Sequence, residues 1–204
     1  MGQDYQHLEN SHEKILRVAR DLFMKLGYKA VSTRQIAEIC GITQPTLYHH
    51  FKNKQELYVE VLKTELAVAK SDLKKIIESH RDSYEECVLE LSVFMLVNKP
   101  TSLGQMFHDI AHHLNEAQQQ EMRIKWLEAY LQPIVSVYEE GIEQGAFRNP
   151  ADFGSYAEPS AYMLLNLIAS HQSREPLNEE EARKQATFYT NVMMYGLSSR
   201  SKGT

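Results

Sequence analysis

Apolar residues recur along this chain at three- and four-residue spacing, the period of amphipathic helices. Ile15, Val18, Ala19, Leu22, Phe23 and Leu26 mark a first helix, opened by a capping box at Asn10 and Glu13 and ended by Gly27. Residues 1–9 lack the period and are expected to form a loose arm. Ser32 with Gln35 opens a second helix, to which Ile36, Ala37 and Ile39 give apolar faces and which Gly41 ends in a left-handed conformation. Thr43 caps a third, about two turns long. Pro45 falls in its first turn, where a missing N–H costs nothing, and Leu47 and Phe51 share the buried face. Asn53 with Glu56 opens a long fourth helix to about Ser79, buried along Leu57, Val61, Leu62, Leu66, Leu73, Ile76 and Ile77.

Asp82 with Glu85 is expected to start a fifth helix, apolar nearly all round (Val88, Leu91, Phe94, Met95), with Pro100 ending that region. Leu103, Met106, Phe107, Ile110 and Leu114 give a sixth. A long seventh runs from Glu116 with a kink at Pro133, whose ring clashes with the preceding turn, and closes at Gly145–Arg148. Asn149 and Pro150 are placed to start an eighth, reaching about Gln172 and bent or delayed by Pro159. Asn178 with Glu181 caps a ninth. No strand-like alternation or 20–50-residue repeat occurs, so the fold class is all-α with about nine helices. The last two carry more apolar residues than one packing face needs, among them Tyr162, Leu165, Phe188 and Met194. That excess suits burial against a second copy, although central helices of a monomer would also carry it.

The third helix turns Gln44, Thr46, Tyr48, His49 and His50 away from its apolar side, which makes it poor core and well suited to a DNA groove. With its flanks, ILRVARDLFMKLGYKAVSTRQIAEICGITQPTLYHHFKNKQELYVEVL resembles the N-terminal domain of the TetR (tetracycline repressor) family. The match lies at Leu26–Tyr28, Ser32–Arg34, Ile36–Ala37, Gly41, Leu47–Tyr48, His50–Phe51, Lys54 and Leu57. It is specific over roughly residues 11–60 and architectural beyond. The resemblance implies a helix-turn-helix DNA-binding domain over 10–55. It also implies a helical domain over 56–204 that binds a small ligand and dimerises through the last two helices. Double-stranded DNA with a palindromic operator is then the partner, since two short recognition helices multiply their discrimination.

Side-chain chemistry together with that resemblance assigns the contacts. Thr33 and Arg34, at the amide-rich start of the second helix, are placed to hold a phosphate. Tyr48 and His49 reach backbone oxygens, Lys52 and Lys54 add charge, and Gln44 is the base reader, its amide pairing with adenine. Thr46 is suited to a thymine methyl, Pro45 offers apolar contact, and Thr43 adjoins them. His50 serves packing beside Phe51 at least as readily as DNA. In the second domain, Phe94, Met95, Met106, Phe107, Trp126, Tyr130, Tyr162, Met163 and Asn166 read one by one as ordinary core, and as a group as the lining for a small apolar or aromatic effector.

The formal charge of −5 fits a DNA binder only when divided. Residues 1–62 hold eight Lys/Arg against seven Asp/Glu; the remainder holds fourteen against twenty. Within 28–54 the bases Lys29, Arg34, Lys52 and Lys54 meet one acid, Glu38, which is a local basic edge. No run approaches eighteen apolar residues, and MGQDYQHLEN lacks a signal core, so neither membrane insertion nor secretion is expected. Cys40 and Cys87 are distant and outside any CxxC, which points to a reducing cytoplasm. His108 with His112, and Asp109 with His113, stand four apart and could chelate a metal, but sequence supplies no further ligand. No metal or cofactor is therefore assigned, and solvated histidines are the simpler reading. A metal-responsive regulator and a helical protein-binding adaptor remain as alternatives. Phosphate loops, nucleophile elbows and HExxH are absent, so no enzyme is expected.

Overall fold

The computed structural model describes the backbone of residues 2–98, 103–153, 155–170 and 177–196, and the side chains of 11–98, 108–149, 151–152, 155–170 and 177–196. Among these residues there are ten α-helices and no strand. They are α1 (Gly2–Ala30), α2 (Thr33–Cys40), α3 (Gln44–His50), α4 (Lys54–Ser79), α5 (Tyr84–Val97), α6 (Leu103–His113), α7 (Glu116–Trp126), α8 (Gln132–Glu143), α9 (Ala157–Ser170) and α10 (Glu179–Tyr195). A π turn, Leu127–Leu131, follows α7 and leads into α8, so residues 116–143 are helical throughout, as the one long helical pattern of the sequence implied. Gln132 N–H reaches back five residues to the Leu127 carbonyl. Pro133 has no N–H to continue the ordinary ladder, and the wider turn makes room for its ring.

The chain divides into two compact units, Met1–Ala67 with Pro100–Lys125, and Val68–Lys99 with Trp126–Thr204. The first is larger than residues 10–55 because its core does not stop there. Ile15, Ala19 and Phe23, one per turn of α1, are buried with Ile36, Ala37 and Cys40 of α2, Leu47 of α3, and Phe51. Leu57, Tyr58, Val61 and Leu62 of α4 join them, and so do Leu114 and Met122 from the region of α6 and α7. Each such side chain removed from water contributes about 1.5–3 kcal/mol, offset by ordering entropy. Two apolar positions depart from expectation: Leu26 and Ile39 are 46% and 54% exposed. α1 also starts at Gly2, ahead of the proposed cap at Asn10, since no Gly or Pro between residues 3 and 14 interrupts helical propagation. Its far end breaks at Gly27, whose φ of 78° is cheap only without a side chain.

In the second unit α5 is buried on most sides, through Cys87, Val88, Leu91, Ser92, Met95 and Leu96. Burial pushes the Cys87 thiol up to about 11, with the Glu140 charge adding to it. The α5 cap is Ser83, not Asp82: Ser83 is extended and its Oγ accepts the Glu86 N–H. α5 ends at Val97, and Pro100 lies outside the described residues. α10 runs along α5 and is tied to it by Arg183, which grips Glu90 with two nitrogens (2.6 and 3.2 Å), and by the Tyr195 hydroxyl donating to Glu85 (2.6 Å). The Asn178–Glu181 capping box forms in both directions. Pro150 opens only a 3-10 turn, Pro150–Phe153; α9 begins at Ala157 with Pro159 in its first turn, and Gln172 lies outside the described residues. Past α8 the chain folds back through Gly145 (φ 73°). Ala146 and Phe147 N–H both donate to the Gly141 carbonyl, and the Phe147 ring lies against Gly141 and 5.1 Å from Tyr138.

Candidate DNA-binding interface

The local sequence builds a tight corner between α2 and α3. Ser32 Oγ accepts the Gln35 N–H (3.1 Å), Gly41 adopts φ 69° and sends its N–H back to α2, and Thr43 Oγ1 accepts the Thr46 N–H. Leu47 anchors α3 in the core at 0% exposure, and Phe51 follows it in. The rest of α3 is left outside: Pro45, Thr46, Tyr48 and His49 are exposed and Gln44 is half-buried.

These side chains are not independent. Gln44 Nε2 donates to Thr33 Oγ1 (3.0 Å) and approaches Tyr48 Oη (3.4 Å), while the two hydroxyls are 3.1 Å apart. Thr33 is itself buried, with only its hydroxyl edge engaged in this group. Thr46 and Thr43 share a 2.8 Å hydroxyl contact. Arg34 is exposed and paired to Glu38, four residues on (2.9 Å). Lys52 is exposed; its N–H donates to Glu56 Oε2 (2.7 Å), while Asn53 Oδ1 takes the Glu56 N–H (2.8 Å). His50 is turned toward the core between His12 (6.0 Å between ring centroids) and Phe51. Its Nε2 is buried and has no hydrogen-bond partner among the described residues. Burial, then the neighbouring His12 and His49, hold His50 below the ordinary histidine range.

Asp109 is the residue whose role the sequence concealed. It is 1% exposed, and its Oδ2 accepts the Tyr28 N–H at 2.8 Å, just past the Gly27 break. The Tyr28 ring lies 4.9 Å from both Tyr58 and His113, and Lys54 Nζ sits 4.2 Å above it. Lys54 is thus drawn over an aromatic face; burial holds it below the ordinary lysine range, against the opposing pull of Asp109. The Tyr28 hydroxyl is raised by burial and then by Asp109. A weak signal existed, since Asp109 interrupts the apolar side of α6 beside Ile110. On the other side, His108 and His112 stack at 4.0 Å and are exposed. Among the described residues no three His, Cys, Asp or Glu side chains gather as a metal site.

The residues considered for an effector are distributed unevenly. Met95 is buried in the second unit, and Phe94, Trp126 and Tyr130 are half-buried, with Trp126 and Tyr130 rings 5.9 Å apart. Tyr162, Met163 and Asn166 lie on the exposed side of α9. The side chains of Met106 and Phe107 lie outside the described ones. No helix among the described residues is long and apolar enough to cross a membrane.

A buried three-helix support presenting a short polar helix from a capped corner defines a helix-turn-helix DNA-binding protein. Residues 15–61 match the family described as bacterial regulatory proteins, tetR family. Over 149 residues, 69% of each chain, the protein is 27% identical to the HTH-type transcriptional repressor KstR2 of Mycolicibacterium smegmatis. Its fold is shared by a TetR/AcrR-family regulator of Thermobifida fusca (TM-score 0.68, 21% identity, 93% of this chain and 99% of that one). It is shared also by FadR of Bacillus subtilis in complex with stearoyl-CoA (TM-score 0.65, 15% identity, 91% and 99%). Residues 15–61 are thus a DNA-binding domain of the TetR family, and the chain as a whole is similar to TetR-family transcriptional regulators.

Proposed function

We propose that this regulator is a cytoplasmic homodimeric repressor that binds a palindromic operator and is released by a small apolar or aromatic effector. The observation that carries the reading is the polar surface of α3, held out of the core by Leu47 and Phe51 with Gln44, Thr33 and Tyr48 already hydrogen-bonded together. In this reading α3 lies in the major groove, Gln44 and Thr46 face bases, and Pro45 and Thr43 line the contact. Arg34, Tyr48, His49, Lys52 and Lys54 meet phosphates. Thr33 acts from beneath through its hydroxyl. KstR2 bears the name of a repressor, which supports repression over activation.

Dimerisation rests on α9 and α10. Tyr162, Met163, Phe188 and Tyr195 are 38%, 59%, 55% and 57% exposed, too much apolar surface on two adjacent helices to leave in water. The effector is assigned to the second unit, near Phe94, Met95, Trp126 and Tyr130. Tyr138 Oη and Thr190 Oγ1, elsewhere in the same unit, are buried without a partner among the described residues. The stearoyl-CoA complex of FadR makes acyl-CoA esters the first compounds to try. Release requires that the effector bind more tightly to a DNA-incompetent state. Selection of genomic DNA fragments by the purified protein tests the reading. An enriched inverted repeat, released by one of those compounds, supports it; a folded dimer that enriches no sequence refutes it and favours a protein-binding adaptor.

A further inference from the structure

Tyr28 is held through both its backbone and its ring. Its N–H donates to the buried Asp109 carboxylate (2.8 Å). Its ring lies 4.9 Å from the His113 ring, with 28° between the planes, and 4.9 Å from the Tyr58 ring. Asp109 and His113 stand one turn apart on α6, so a single helix grips Tyr28 at both points. The first turn of α4 is tied to the same place, because Gln55 Nε2 donates to the His113 carbonyl (2.7 Å). Lys54, beside Gln55, lays its Nζ 4.2 Å above the Tyr28 ring. An ammonium at that distance is attracted by the negative face of the ring. The half-buried Lys54 side chain is thereby given one position, where an unrestrained lysine spreads over many rotamers.

We propose that Tyr28 is a positioning residue for operator binding: its ring holds the Lys54 ammonium ready for a DNA phosphate and keeps hold of it in the complex. The inference deepens the operator-binding reading above and rests on it. A ring suits this task better than a carboxylate. It carries no net charge to cancel the ammonium, whereas the Glu38 carboxylate offsets the charge that Arg34 presents. The ammonium has three donors, so a ring on one side leaves protons for a phosphate oxygen on the other. Lys54 also opens α4, and the dipole of a helix start favours an anion nearby. The Tyr28 hydroxyl has no part in this role.

The test uses the full-length protein and its selected operator, and varies the electron density of the ring at nearly constant shape. Position 28 is filled by phenylalanine, 3,5-difluorophenylalanine or 3,4,5-trifluorophenylalanine through nonsense suppression, with Lys54 and again with Lys54→Met. Tyr28→Phe is expected to bind within about twofold of wild type. Fluorine withdraws the negative face, so affinity is expected to fall stepwise, by about tenfold at the trifluoro ring, or roughly threefold at each of two protomers. With Lys54→Met the same series is expected to stay within about twofold, and the salt slope to drop by about two, one phosphate per protomer. A ring that only packs the core would move both backgrounds alike. If circular dichroism shows the trifluoro chain unfolded, the difluoro chain is read for the same ordering. Affinity that rises with fluorination overturns the proposal, because the ring would then be withholding Lys54 from DNA. So does a series that is flat with Lys54 present or equally steep without it, or a salt slope unchanged by Lys54→Met. A tenfold loss in Tyr28→Phe alone, about as large as the trifluoro effect, would assign the contact to the hydroxyl and overturn it as well. If no operator is selected at all, the operator-binding reading fails first and takes this inference with it.

Discussion

Replacing Asp109 with alanine removes the carboxylate that accepts a hydrogen bond from the end of α1 in the first unit. The carboxylate is almost fully buried and accepts the Tyr28 N–H at 2.8 Å across 81 residues of sequence. A hydrogen bond to a charged group is worth about 1.5–3 kcal/mol, and its removal leaves the Tyr28 N–H without that acceptor. At about 2 kcal/mol, local opening around Tyr28 becomes roughly thirtyfold more frequent. Amide exchange on protein labelled with 15N-tyrosine reads this directly under native conditions: the Tyr28 amide exchanges about thirtyfold faster in Asp109→Ala. Asp109→Asn keeps an acceptor oxygen and loses only the charge, so its effect is a few-fold, in line with a neutral bond. Because Tyr28 leads within five residues into α2, where Thr33 meets Gln44 and Tyr48, Asp109→Ala also weakens operator binding. Tyr28 exchange within twofold of wild type in the alanine variant refutes the tether.

Glu38→Gln releases Arg34 from an ion pair whose side chains are 79% and 64% exposed. Such a pair is worth only about 0.3–0.5 kcal/mol, so stability hardly changes, while removing an acid from the basic edge raises operator affinity about threefold in low salt. Unchanged or weaker binding contradicts the placement of Arg34 at a phosphate. Gly141→Ala drives a methyl group into the Phe147 ring, which is also held near Tyr138 and Tyr84. Overpacking of that kind costs about 1–3 kcal/mol, seen as a lowered thermal midpoint, and an unshifted midpoint refutes the packing. His50 is held below its ordinary pKa in the fold, so the unfolded chain binds more protons as pH falls. Its contribution to stability is therefore present above about pH 6.5 and is lost as pH falls below it. Urea titrations at pH 7.5 and 5.5 should show a smaller difference for His50→Phe than for wild type; an equal difference assigns the acid sensitivity elsewhere.

Local signals carried most of the architecture. Ser32, Gly41, Thr43, Asn53 and Asn178 cap or end helices from their own sequence neighbourhoods, and the α3 polar face follows from the depths of Leu47 and Phe51. Where two capping residues were adjacent, at Asp82 and Ser83, sequence could not choose between registers one residue apart; the extended backbone of Ser83 decided it. Tertiary contacts were hidden. Nothing local joins Thr33 to Gln44, eleven residues on, or Asp109 to Tyr28. His108, Asp109, His112 and His113 looked like one group on paper. Successive helical positions point apart, and Asp109 turns inward while His108 and His112 face water. The effector residues were the least legible, because Met and aromatic side chains at helical spacing serve core, cavity and subunit contact alike, and only burial distinguishes Met95 from Met163.

The most direct test of operator recognition is a fluorescence anisotropy titration of the selected operator against a scrambled duplex of equal length. It is carried out at two salt concentrations, with stoichiometry read from the saturation point. The account predicts two chains per inverted repeat, affinity that falls steeply with salt, and preference for the operator of about a thousandfold or more. Equal affinity for the scrambled duplex, or binding indifferent to salt, would contradict it.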